Sequence, residues 1–370
     1  MQLSETIKLK MTKVQKALVV AAMNEYINTV NCLVSDVFDN NKSINKYTSA
    51  DVKADLPSAL RNQCIRDAKS VVKKHNKDVR KMDAKKQEEK VPAIPVLKKP
   101  CCYINNQNFK INGKRIEFPV IIDKKSKRIS VQTTITKRQV ELFANAKLGT
   151  MRIVRKGHKI VAQIVYEVAE SDLSDNSNVM GVDLGIKCPA VSYCSDGNVK
   201  FHGNGRKNKY MRRHYKRLRR KLQKAKRMKA VKRIRNKEQR IMKDIDHKLS
   251  RNIINTALAH KVSVIKLERL TNIRSTTRKS RKNNHSLHTW SFYRLAQHIE
   301  YKAKLAGIKV EYVNPAYTSQ KCPVCGHIHH ANDRHYTCKC GYRTHRDLLG
   351  AINICNSTEY VGDSNIRHTS

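Results

Sequence analysis

Four cysteines near the C-terminus constrain this chain more than any other feature. They run Cys322-x2-Cys325, twelve residues, then Cys338-x-Cys340, inside Cys322-Pro323-Val324-Cys325-Gly326 and Cys340-Gly341-Tyr342. Two cysteine pairs on tight turns can bring four thiolates to the corners of a tetrahedron, the arrangement Zn²⁺ accepts in closed structural sites. Protein ligands then fill every position, so the expected metal holds a ribbon together and does no chemistry. The second pair is one residue tighter than the common C-x2-C, and His327, His329, His330 and His335 are near enough to replace a cysteine. The chain carries 11 cysteines, an odd number, and their concentration in one segment suits a reducing compartment and a metal site better than a disulfide framework. Cys32, Cys64, Cys101, Cys102, Cys188, Cys194 and Cys355 are expected to be packing or surface residues.

A second constellation is spread over the C-terminal half. In Val179-Met180-Gly181-Val182-Asp183-Leu184-Gly185 strand alternation puts Met180, Val182 and Leu184 on one face and Asp183 with Gly181 and Gly185 on the other. Ser195-Asp196-Gly197-Asn198 supplies a hairpin turn expected to return the chain beside that strand. Val262 to Glu268 is another apolar strand ending on a carboxylate. Asp347 opens a helical pattern, Leu348 to Ile354, in which Gly350 and Ala351 share its face and let the helix approach a sheet closely. Three carboxylates brought together this way repel one another unless cations lie between them. Hard oxygen donors suit Mg²⁺ or Mn²⁺, and a pair of such ions can activate a water and stabilise the leaving oxygen of a phosphodiester. Taken singly, each acid favours a bland reading, Asp183 as a turn residue, Glu268 as a surface charge and Asp347 as an N-cap; their joint occurrence in strand, strand, helix order within so basic a chain favours the catalytic one.

Charge decides what such a protein meets. Lys plus Arg is 76 against 30 Asp plus Glu, a net +46 over 370 residues, which repels itself unless a polyanion neutralises it. Between Arg206 and Lys243 there are 20 Lys or Arg in 38 residues and a single Glu. Met211, Tyr215, Leu218, Leu222 and Ala225 form a helical seam there, while the other faces are cationic. Arg212, Arg213, Lys216, Arg219 and Arg220 are accordingly the expected nucleic-acid contacts. No Gly or Pro occurs between Gly205 and Gly307, so one or two long helices should begin in this stretch. The longest apolar run, Ala17 to Met23, is far short of a bilayer span and no signal peptide is apparent, so a cytoplasmic protein without membrane contact is expected.

In the N-terminal half, Thr6 to Leu9 reads as a strand, and a Thr12–Gln15 capping box opens a helix ending near Phe38. A second helical block runs from about Pro57 to Lys86, and Pro92, Pro95 and Pro100 mark a connection from Val91 to Pro100. Cys102 to Ile111, Arg115 to Ile122 and Arg128 to Ile135 are β-like, and Met151 to Val154 faces His158 to Val168 across Lys156-Gly157.

Gly181-Val182-Asp183-Leu184-Gly185-Ile186-Lys187, Leu267-Glu268-Arg269-Leu270, Asn314-Pro315-Ala316-Tyr317-Thr318-Ser319-Gln320-Lys321-Cys322 and His345-Arg346-Asp347-Leu348-Leu349-Gly350-Ala351-Ile352-Asn353 resemble, in this order, the TnpB family. Its members are insertion-sequence-encoded, RNA-guided DNA nucleases similar to the small type V CRISPR effectors. The resemblance covers about residues 178 to 356. It implies a multidomain α/β protein with an RNase H-like (RuvC) nuclease domain over 178–317 and 344–370, including basic helices over 206–260, and an inserted zinc ribbon over 318–343. It also implies an N-terminal wedge β-barrel over 1–11 and 91–170, interrupted by a helical recognition segment over 12–90. Asp183, Glu268 and Asp347 would be the metal-binding catalytic acids, and Cys322, Cys325, Cys338 and Cys340 the zinc ligands. Guide RNA and target DNA would be the partners of a DNA endonuclease of a transposable element. Two other readings compete: a nucleic-acid-binding accessory or repressor that does not cut, which three intact acids disfavour, and a DNA-joining transposase, which the ribbon between the second and third acids disfavours.

Overall fold

The computed structural model describes residues 1–40, 42–83, 92–270, 287–331 and 333–362, and it divides into two compact units, Met1–Ala169 and Glu170–Ser370. Residues 84–86 of the expected second helix, Val91, and the tail 363–370 lie outside the described residues.

The first unit begins with β1 (Gln2–Lys10), where Ile7 and Leu9 are buried and Lys8 and Lys10 exposed, as period-two alternation requires. The capping box forms: the Thr12 hydroxyl accepts from the Gln15 backbone N–H at 3.2 Å, and the Gln15 side chain accepts from the Thr12 N–H at 3.2 Å, opening α1 (Lys13–Asp39). By length and composition α1 could cross a bilayer, but Val19, Met23, Tyr26 and Val30 are buried in the core of this unit. After α2 (Ser58–Asp83) come β2 (Cys101–Ile104), β3 (Lys110–Asn112), β4 (Arg115–Ile122), β5 (Lys125–Thr133), α3 (Lys137–Asn145), β6 (Leu148–Lys156) and β7 (Lys159–Glu167).

The strands form one antiparallel sheet in the order β2-β6-β7-β1-β5-β4-β3. It is a half-barrel with β2 and β3 at its edges; α1 and α2 pack against β2, and α1 against β4. Two local expectations are corrected, and one helix is added. Cys102 to Ile111 is two strands, divided at Asn106–Asn108, where the amide side chains favour a turn. The β6–β7 turn is Gly157-His158, one residue later than expected, with Gly157 at φ +65° and Lys156 paired to Lys159. The short α3 lay unnoticed behind its own Thr136–Gln139 capping box.

The second unit is built on β8 (Asn178–Asp183), β9 (Ala190–Cys194), β10 (Val199–His202), α4 (Gly205–Lys224), α5 (Met228–Ile234), α6 (Lys237–Ala259), β11 (Val262–Glu268), α7 (Phe292–Leu305), β12 (Lys309–Val313), β13 (His335–Thr337), β14 (Arg343–His345), α8 (Arg346–Asn356) and β15 (Tyr360–Gly362). Its main sheet runs β10-β9-β8-β11-β12-β15; β8, β9 and β10 form an antiparallel meander, while β11 and β12 run parallel to β8. The Ser195–Asn198 turn joins β9 to β10, so the strand it returns lies beside β9, and it is β9 that lies beside β8. Three helices, where one or two were expected, follow Gly205; the break falls at Lys226, in the left-handed region at φ +53°, within the densest run of like charge.

Met180, Val182 and Leu184 pack with Leu249, Ile253 and Ala257 of α6 and Leu295, Ile299 and Ala303 of α7. The opposite face receives α8. A Cβ on Gly181 would fall 2.2 Å from the Ala351 carbonyl oxygen and 2.4 Å from the Cys355 nitrogen, so only glycine permits this approach. Lys266, paired with Gly181 across β11 and β8, donates to the carbonyls of Cys355 at 3.0 Å and Ser357 at 2.8 Å, fixing the far end of α8.

Candidate active site and metal ribbon

Register places the first two acids together. Val182 pairs with Leu267 on neighbouring parallel strands, so Asp183 and Glu268 emerge side by side at the C-terminal ends of β8 and β11. Asp347 lies in the first turn of α8, whose N-cap is His345, not Asp347 itself. Gly350, one turn further on, faces Asp183: a Cβ there would be 3.1 Å from its Oδ2.

Electrostatics link all three. Burial pushes the Asp183 carboxyl well above the usual carboxylate range, the charges of Glu268 and Asp347 push it further, and Arg334 and Arg346 pull the other way. Burial also raises Glu268, opposed by a hydrogen bond donated by the Thr318 hydroxyl. Arg334, from the strand-preceding loop of the ribbon, is ion-paired with Asp347. Among the described residues, the acids do not bring three ligand atoms within 4.8 Å of one another; only the four cysteines do.

Sequence reasoning gave no role to Thr318, Asn353, Arg334 or Arg346. Asn353 of α8 donates to the carbonyls of Thr318 and Lys321, both at 2.7 Å, and so ties the loop that presents Thr318 to the helix that carries Asp347. Tyr317, just before Thr318, is exposed and sits at φ +59°. Thr318 and Asn353 both fall within the quoted motifs; their roles show only once the chain is folded.

The ribbon forms as spaced. Cys322 and Cys340 sulfurs lie 3.6 Å apart and those of Cys325 and Cys338 3.4 Å, with all four within 4.8 Å. Thiolates bound to zinc at about 2.3 Å on tetrahedral corners would stand about 3.8 Å apart, so the donor set fits that ion. Gly326 and Gly341, at φ +71° and +90°, make the two turns, and their N–H groups each donate at 3.0 Å to the carbonyl of Cys322 and Cys338 respectively. None of His327, His329, His330 or His335 belongs to the cluster. Cys322 and Cys338 pack with Tyr336, Ala331 and Leu349 of α8, so the ribbon shares a small core with the helix bearing Asp347.

Of the five basic residues singled out on α4, Arg213, Lys216 and Arg220 are exposed, while Arg212 and Arg219 are half-buried. Arg219 is ion-paired with Glu238 at 2.8 Å, which removes it from the free cations.

Together these features define a mixed α/β protein with acids converging at the ends of parallel strands and a four-cysteine ribbon set against the third acid. Its fold is that of a Cas12f1 solved as a Cas12f1–sgRNA–target DNA complex, with a TM-score of 0.69 at 18% identity over 94% of this chain and 83% of that one. The family model described as "Probable transposase" matches residues 163–274, and "Cas12f1-like, TNB domain" matches 292–354. The TnpB-like protein MJ0751 of Methanocaldococcus jannaschii is 30% identical over 269 residues, covering 69% of this chain and 94% of its own. A Cas12f1 endodeoxyribonuclease of Syntrophomonas palmitatica is 25% identical over 359 residues, 83% of this chain and 67% of that protein. The chain belongs to the TnpB-like family.

Proposed function

We propose that this protein is an RNA-guided DNA endonuclease of transposon origin that hydrolyses phosphodiesters at Asp183, Glu268 and Asp347. The observation that carries the proposal is the convergence of these acids: strand register sets Asp183 beside Glu268, and the first turns of α8, which bear Asp347, abut Asp183 through Gly350. Mutual repulsion of the acids is relieved by divalent cations, and the all-oxygen donor set suits Mg²⁺ or Mn²⁺. When bound, these ions supply an activated water and stabilise the leaving oxygen. The chain's own residues do the rest. Asp183 and Glu268, fixed by strand register, and Asp347, fixed by the start of α8, would hold the ions. The hydrogen bond from Thr318 opposes the rise that burial imposes on Glu268, and Arg334 and Arg346 temper the negative charge. The strand order, with an antiparallel meander followed by two parallel strands, supports an RNase H-like (RuvC) reading of 178–317 and 344–370. Residues 318–343 would be the zinc ribbon, 1–11 and 91–170 the wedge, and 12–90 the recognition segment.

The Cas12f relatives are endodeoxyribonucleases, and one was solved with a guide RNA and target DNA, which supports the same partners here. The +46 charge needs such polyanions, and pairing with a guide would carry sequence recognition while the protein reads backbone shape. The test is to purify the protein with its co-purifying RNA, sequence that RNA, and supply a matching duplex with and without Mg²⁺. Guided, Mg²⁺-dependent cutting lost in Asp183→Ala is the expected outcome. Equal cutting after complete removal of RNA would leave only an ordinary metal-dependent nuclease.

A further inference from the structure

A cavity of about 530 Å³ lies in the second unit. One wall is a single face of α4, where Lys209, Arg212, Arg213 and Lys216 recur at helical spacing; Trp290 and Leu295 line another part, and Gly185 and Ile186 complete it. Gly185 and Ile186 are the second and third residues after Asp183, so the cavity borders the strand end that carries the first acid.

Arg212 distinguishes this cavity from an ordinary basic surface. The residue is half-buried, and no hydrogen bond or ion pair reaches it among the described residues. Two acids lie near enough to act on it, Glu238 and Asp246, but both are engaged elsewhere. Glu238 pairs with Arg219 at 2.8 Å, and the buried Asp246 accepts from Arg294 at 2.7 and 2.6 Å. A partly desolvated guanidinium with no partner of its own is a ready donor, and an anion in the cavity would take its N–H groups. The chain's single tryptophan, Trp290, lines the same cavity, and an indole in a cavity with cations is the combination that holds a base by stacking and its phosphate by charge. The volume accommodates a nucleotide and not a duplex.

We propose that this cavity holds one nucleotide of the single DNA strand led to the acids, its base against Trp290 and its phosphate on Arg212. The proposal rests on the reading of Asp183 as part of the cutting site, because that reading is what makes the strand passing Gly185 the substrate strand and not the guide. It adds a strand-positioning role for one face of α4, separate from the exposed cations Arg217 and Arg220.

Because Trp290 is the only tryptophan, its emission reports the cavity directly and without cleavage. The experiment uses the full RNA-loaded protein carrying Asp183→Ala, titrated with a ten-nucleotide oligothymidylate whose binding is followed in parallel by anisotropy of a labelled copy. Trp290 emission should be quenched with the same midpoint as the anisotropy. Arg212→Gln should raise that midpoint about tenfold or more, the loss of one charge-assisted contact. Lys209→Gln, on an exposed position of the same wall, gives a smaller shift in the same direction and serves if Arg212→Gln does not fold. Strand binding with unchanged Trp290 emission, or an unchanged midpoint in both variants, would overturn the proposal. Tighter quenching by oligouridylate than by oligothymidylate would overturn the assignment to DNA. Absence of cutting by the unmutated protein bears instead on the endonuclease reading, so the two failures are separate.

Discussion

Gly181 and Ala351 are packed so closely that a single added methyl on Gly181 would lie 2.2 Å from the Ala351 carbonyl. This contact lets α8 press its small residues into the sheet and sets Asp347 over the ends of β8 and β11. Gly181→Ala meets backbone, which cannot rotate aside, so it should destabilise the second unit by about 1–3 kcal/mol and abolish cutting. Gly350→Ala is milder for the fold, because its Cβ would meet the Asp183 carboxyl at 3.1 Å, a side chain that can shift. It should lower the cleavage rate far more than the melting temperature. Thermal melts paired with single-turnover rates distinguish the two; equal melting temperatures for Gly181→Ala and the parent would refute the packing argument.

The Thr318 hydroxyl donates to Glu268 and favours its ionised form. Burial raises that carboxyl and the Thr318 hydroxyl opposes the rise, so Thr318→Val should lift it further. A group with a higher pKa is less ionised at any given pH near it. The acid limb of the rate profile should therefore move to higher pH, with the largest loss of rate at the acid end and recovery on the alkaline side. Thr318→Ser, which keeps the hydroxyl, should restore the parent profile. Single-turnover rates from pH 5.5 to 9 would show this, and a uniform fall at every pH would mean that Thr318 acts only through packing.

The elements that positioned the acids were legible because each had a strong local signal. Apolar alternation in Val262–Glu268 matched β11 to the residue, and the Gly181, Gly350 and Ala351 pattern announced a close helix on a sheet. What escaped notice depends on contacts distant in sequence. Thr318 lies 50 residues from Glu268, and Asn353 lies 35 from the carbonyl it holds, so neither spacing nor periodicity could pair them. The basic run gave a similar partial result: its charge was plain, but which arginines are already paired became clear only when α6 brought Glu238 against Arg219. Turn positions slipped by a residue or a strand for another reason. At Gly157 and at Ser195–Asn198 the turn chemistry was right, while its assignment to particular strands depends on sheet order.

Zinc removal should disturb more than the ribbon. Cys322 and Cys338 share their core with Leu349, two residues beyond Asp347, so loss of the metal loosens the start of α8. Purified protein should carry about one zinc per chain, and Cys338→Ser should lose it together with the folding free energy of metal binding, of order 10 kcal/mol. Hydrogen exchange should then rise over 318–349 while the β8–β11 ladder stays protected. A zinc-free chain by elemental analysis with full activity would remove the ribbon from the site.

The exposed cations of α4 should act through charge alone. Arg217, Arg220, Lys221 and Lys224 lie off the cavity wall, are exposed and make no ion pair among the described residues, whereas Arg219 is held by Glu238. Replacing these four by Gln should weaken RNA binding and flatten its salt dependence, each lost phosphate contact lowering the log-log slope by about 0.7 to 0.9. Arg219→Gln alone should leave the slope nearly unchanged, because its charge is already neutralised within the protein. The acids are untouched in the fourfold variant, so excess guide RNA should partly restore cutting by restoring occupancy. Filter binding between 50 and 300 mM salt measures the slope directly. A fourfold variant with the parent slope would place the RNA on another surface of the chain.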